Sequence, residues 1–96
     1  MIDSYIGTII KLPYQVEVKG WMRCHGQLLQ VQYYMPLFTL IQNTYGGEKD
    51  ITFKLPDLRQ KRDDGGYYTI GEIMKDGTPY MDSFICVEGL FPELLR

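Results

Sequence analysis

KGWMRCHGQLL, residues 19–29, holds the chain's only tryptophan (Trp21), its only histidine (His25) and one of its two cysteines (Cys24). Either this is a chemical site or it is a buried strand running into a tight turn. A zinc site wants three or four ligands, and His25 has no other His, Asp or Glu at ligand spacing. Neighbouring strand residues face opposite ways, so Cys24 and His25 are badly placed to share a metal or to act as nucleophile and base. A Cys–His hydrolase would also need a third orienting residue and an oxyanion site. The scaffold reading is the stronger one. WMRC is a strand after Gly20, Trp21 is a core anchor, and HGQ is a turn in which Gly26 is free to take positive φ.

Outward from that stretch the chain is rich in short strands. YIGTIIKL (5–12) reads as a strand ended by Pro13, and QVEV alternates at period two as a short strand or extended arm. The period changes in YYMPLFTLIQ. Tyr34, Phe38 and Ile41 follow helical spacing, Leu37 and Leu40 fill the same side, and Pro36 is tolerated near the first turn. One short helix is expected over about residues 34–42, stopped by TYGG. ITFKLP reads as a strand with Ile51, Phe53 and Leu55 on one face. YYTIGEIM and YMDSFICVEGLF read as two strands of a hairpin about Asp76-Gly77, a primed-turn signal. The expected class is α+β and β-rich, a single small domain over 1–96.

Composition narrows the function. Apolar residues make up 45%, which suits a folded chain. A formal net charge of −2 offers no basic field for nucleic acid. The cluster Arg59, Lys61, Arg62 is followed at once by Asp63 and Asp64 and reads as a solvated loop of mixed charge. No apolar run is long enough to cross a bilayer, and MIDSYIGTII lacks the basic start of a secretory signal. Cys24 and Cys86 are either bonded, if their strands are neighbours, or a buried free pair. The glycines of TYGGE and DDGGYY lack the lysine and strand-to-helix setting of a phosphate loop. With no complete catalytic set, neither an enzyme nor a cofactor or metal site is expected.

The order of motifs is more specific than any one of them. YIGTI, GW..C.GQLL, a helix with LFTLI, TYGG, TF.LPDLR and a closing FIC.EG.FP together resemble the phage tail collar domain family, across nearly the whole chain. The residues that carry the resemblance include Trp21, Cys24, Gly26, Tyr45, Gly46, Gly47, Leu55, Pro56, Asp57 and Arg59. His25 stands where the family usually has Asn, and Gln60 replaces a glycine after LPDLR. Between YTIGE and the closing strand the family usually carries a long variable stretch with a histidine-bearing motif, where this chain has IMKDG. The resemblance therefore implies a shortened collar domain without those metal ligands. It implies a structural and adhesive block of a phage tail or phage-derived particle, located in that particle and made in the bacterial cytoplasm. Fibres of the family are trimers, so it implies a homotrimer, with other tail proteins or a host surface glycan as further partners. Asp57 and Arg59, two apart on a strand end, share a face; they are either a solvated turn pair that contributes little or a pair that fixes the turn after Pro56 and reaches backbone groups or a neighbouring subunit. The competing reading is a soluble binding protein of phage origin, capturing a host protein or small ligand through tyrosines such as Tyr33, Tyr34, Tyr67, Tyr68 and Tyr80.

Overall fold

The computed structural model describes residues 4–92. The reading of residues 1–3 as the start of an unexported chain lies outside them. The elements are β1 (Ile9–Leu12), β2 (Trp21–Arg23), β3 (Leu28–Gln30), a 3-10 turn (Val31–Tyr33), α1 (Met35–Ile41), β4 (Thr52–Lys54) and β5 (Asp82–Cys86). They make a three-stranded antiparallel sheet in the order β1-β5-β2 and a two-stranded one, β3-β4. No helix among the described residues is long and apolar enough to cross a membrane. The expected α+β, β-rich class with one short helix is the class found.

Strand β5 explains why both faces of the larger sheet are apolar. Successive strand residues alternate sides. Ile85 and Val87 enter the main core with Cys24, Leu29, Val31, Leu37, Phe53 and Leu55. Phe84 and Cys86 face the other way and join Trp21, with Ile10, Leu12, Val16 and Val18 packed around them. Trp21 is thus a core residue, as expected, but of the smaller cluster. The two cysteines are both free and buried. They belong to opposite faces of one sheet, which keeps their sulfurs apart although β2 and β5 are neighbours.

Helix α1 is one residue shorter at each end than the sequence suggests, with Pro36 in its first turn. Leu37 is wholly buried, and Phe38, Leu40, Ile41 and Tyr34 are partly so. Burying a side chain such as Leu37, Phe53 or Leu55 contributes about 1.5–3 kcal/mol. The helix stops at Gln42, whose φ is +48°, before TYGG is reached. The Asn43 amide then donates to the carbonyls of Gly46 (3.1 Å) and Thr52 (2.8 Å), tying the helix exit to β4.

Other expectations fail for local reasons. YYTIGEIM is not a strand. The Glu72 carboxylate accepts from both the backbone N–H (2.7 Å) and the hydroxyl (2.8 Å) of Thr69, closing a turn where a ladder would have run. The turn around Asp76-Gly77 does form, with Gly77 N–H on the Met74 carbonyl, and its flanks exchange a few backbone bonds (Met74 N–H to Thr78, Tyr80 N–H to Glu72) around a single bridge pair, Ile73 and Pro79, too short to make strands. Ile51 is 57% exposed rather than aligned with Phe53 and Leu55, because it ends a turn closed by its own N–H on the Glu48 carbonyl. QVEV takes the arm form, with Val16 and Val18 against the Trp21 cluster. Of YIGTIIKL, the strand keeps only Ile9–Leu12, after a turn at Ile6 and Gly7.

Candidate functional site

The motifs around Gly26 and Pro56 meet in space. Beyond the paired ends of β3 and β4, Leu55 N–H donates to the Gln27 carbonyl (3.0 Å), Gly26 N–H to the Pro56 carbonyl (3.3 Å) and Leu58 N–H to the Cys24 carbonyl (2.9 Å). His25 and Asp57 form a bridge pair between them. GQLL and FKLPDL are therefore one continuous, bent ladder. Gly26 sits at the bend with φ +75°, a backbone that suits glycine. Leu55 and Pro56 are buried beneath it.

Arg59 locks this ladder. Its Nε and Nη2 donate to the two carboxylate oxygens of Asp57 at 2.9 and 2.7 Å, and Nη2 also reaches the His25 carbonyl at 3.3 Å. The Asp57 carboxylate accepts the Arg59 backbone N–H as well (3.2 Å). The guanidinium lies 4.1 Å from the centroid of the Tyr67 ring. These bonds from Arg59 hold the Asp57 carboxyl down at about 2. Burial lowers the His25 imidazole's affinity for a proton, and the Arg59 cation adds to it. Burial, with Asp57 nearby, pushes the Cys24 thiol up to about 11, so it stays protonated.

Arg23 does for the arm what Arg59 does for the ladder. It donates to Glu17 (2.9 Å), to Asp82 (3.2 Å) and to the Val16 carbonyl (3.2 Å), and lies over Phe84. Between the two arginines opens a cleft of about 520 Å³, with His25, Tyr67, Tyr68, Tyr80 and Asp82 also on its walls. Both guanidiniums facing it are already matched by carboxylates. Burial raises the Tyr80 hydroxyl to about 12, keeping it a neutral donor. The cleft offers polar and aromatic contact and the neutral imidazole of His25, with no thiolate beside it.

Of the residues singled out in the sequence, Cys24, Gly26, Leu55, Pro56, Asp57 and Arg59 come together at the ladder, and Tyr67, Tyr68 and Tyr80 line the adjoining cleft. The Tyr80 side chain is no exposed surface, being 4% accessible. Tyr33 is exposed beside the helix, and Tyr34 packs on the main core, so neither joins the cleft. Tyr45 is exposed in the turn that Gly46 and Gly47 close against β4. At Gly47 a Cβ would lie 2.6 Å from both the Phe53 Cα and the Thr52 oxygen, so the TYGG motif reflects backbone on backbone. Arg23 and Asp82 escape the sequence reading because Arg23 falls at an unspecified position of GW..C.GQLL and Asp82 lies outside every motif. Their one signal is charge inside otherwise apolar strands. Arg62, read as solvated, pairs with Asp64 and Glu72.

Comparison with protein families places this geometry. The model of the Phage Tail Collar Domain matches residues 7–62, a span that includes the whole ladder and α1. The chain belongs to the phage tail collar family. Collar domains are structural parts of phage tails, which gives this one a structural role in a tail fibre and makes it a virion component. The match ends before β5, so the central strand of the collar's larger sheet comes from outside the matched residues. No curated protein and no solved structure matches the chain.

Proposed function

We propose that this collar domain is a non-enzymatic, adhesive building block that self-associates, as a trimer, within a phage tail or phage-derived particle. The observation that carries the reading is the collar match over residues 7–62, which takes in the ladder and its Arg59 lock. Self-association is further supported by the large apolar side chains left in solvent, among them Tyr33, Met35, Leu28, Ile51 and Ile73. Small domains gain core by oligomerising, and side chains of this kind are what a second copy would cover. The non-enzymatic reading is supported by the engagement of the acids and the burial of the thiols, which leave the His25 imidazole no thiolate to pair with. Asp57 is held by Arg59, Glu72 by Thr69 and Arg62, and both thiols are buried.

Light scattering and native mass measurement at tens of micromolar test this reading. A mass of three chains is expected, and other tail proteins should bind the assembled form. A clean monomer at that concentration removes the assembly role.

A further inference from the structure

The face of β5 that carries Ile85, continued past the strand by Val87, is covered by the main core. Ser83 is on the same face, directly across from Lys11 of β1. There the core ends, and residues 58–63 and 74–81 stand over the sheet around a cleft of about 760 Å³. That volume falls among those of small-molecule sites, about 300–1,000 Å³.

Two features mark this cleft as more than a gap between loops. Ser83 is 5% exposed and lines it, yet no hydrogen bond engages its hydroxyl among the described residues. No side-chain oxygen or nitrogen there is both sealed from solvent and without a partner. The Ser83 hydroxyl is therefore reached from the cleft. The second feature is charge. Three lysines and two aspartates line the cleft, a positive balance in a chain of net charge −2. Lys75 is paired with Asp63 at 2.8 Å, and Asp76 accepts from the hydroxyl and N–H of Thr78. Lys11 and Lys61 have no acid partner among the described residues, and Lys61 lies 5.9 Å from the Tyr67 ring. The smaller cleft differs, since its arginines are already neutralised.

We propose that the larger cleft binds a small amphipathic anion, its carboxylate or phosphate held by Lys11, Lys61 and the Ser83 hydroxyl, its apolar body against Leu58, Met74 and Met81. This is a ligand function beyond the structural role.

Amide NMR titration of the full chain tests it, with hexanoate, hexyl phosphate, hexanol and inorganic phosphate as probes. At least one of the two amphipathic anions is expected to shift the Lys11 and Ser83 signals, binding about tenfold or more tighter than hexanol or inorganic phosphate. The tighter of hexanoate and hexyl phosphate identifies the headgroup. The double variant Lys11→Gln, Lys61→Gln should weaken it about tenfold or more, Ser83→Ala several-fold, and Lys49→Gln not at all. Because both lysines are exposed, the double variant serves even if Ser83→Ala does not fold. Equal binding of hexanol, equal binding of inorganic phosphate, or unchanged affinity in a natively folded double variant would each overturn the proposal.

Discussion

Replacing Arg59 with lysine keeps the charge and removes the fork. A single ammonium cannot donate in parallel to both Asp57 oxygens, reach the His25 carbonyl and lie flat on Tyr67. The pair is partly solvated, with the two side chains 28% and 41% exposed for Arg59 and Asp57. An exposed ion pair contributes about 0–1 kcal/mol, and stacking on an exposed ring about 0.5–1 kcal/mol. With the lost bond to His25, Arg59→Lys should cost about 1–2 kcal/mol. For a domain of this size that lowers Tm by about 4–15 °C. Acid provides an internal check. The Asp57 carboxyl is held from its ordinary 3.8 down to about 2, so its ionised form stabilises the fold. That stabilisation is complete above about pH 4 and is lost as pH falls through about 2. Undiscounted it would be about 2.5 kcal/mol, and the exposure of the pair cuts this to about 1 kcal/mol. Thermal melts followed by circular dichroism should show a wild-type to Arg59→Lys gap at pH 7 that narrows between pH 4 and 2. Coincident melts at pH 7, or a gap that widens in acid, would refute the idea that the fork holds the ladder.

Trp21→Ala should cost about 3–5 kcal/mol in urea denaturation, because it empties the centre of the smaller apolar cluster; a loss under 1 kcal/mol would show that the cluster is peripheral. Gly47→Ala should cost about 2–5 kcal/mol, since it combines a φ of +104° with a Cβ driven into Phe53 and Thr52. The same assay checks it, and a neutral result would mean that the turn relaxes freely.

The legible parts of this fold are those where one residue type has one physical use. Trp21 in a strand, Gly26 at a bend and Leu37 on a helix face each announce their position through size or backbone freedom. The Asp57–Arg59 pair was legible too, because two residues apart on a strand end share a face. What the sequence hid is governed by side chains that bond their own backbone. Glu72 on Thr69 converts an apparently strand-like stretch into turns, while at Ile51 a backbone bond to the Glu48 carbonyl ends a turn and takes that residue out of β4's apolar face. Tyr80 was misplaced for another reason. A tyrosine suits a core as well as a surface, and only the sheet's path beneath residues 58–63 decides between them. Arg23 with Asp82 depends on pairing across 59 positions of sequence, which no local pattern encodes.

The central place of β5 has a consequence for the chain during its synthesis. Strands β1 and β2 touch β5 on either side rather than each other. Translation delivers the two outer strands first and their common partner about 70 residues after Leu12, a delay of about 4–14 s at about 5–20 residues per second. Through that interval β1 and β2 leave the ribosome with open edges and with Ile10 and Trp21 unburied. Pairing Ile9 with Ile85 must also close a loop spanning most of the polypeptide, which places this sheet among slow, non-local folding events. The bent ladder of residues 24–30 and 52–58 involves only earlier residues and can close before β5 exists. A nascent chain therefore holds half of its core in place while the other half waits for a strand not yet made.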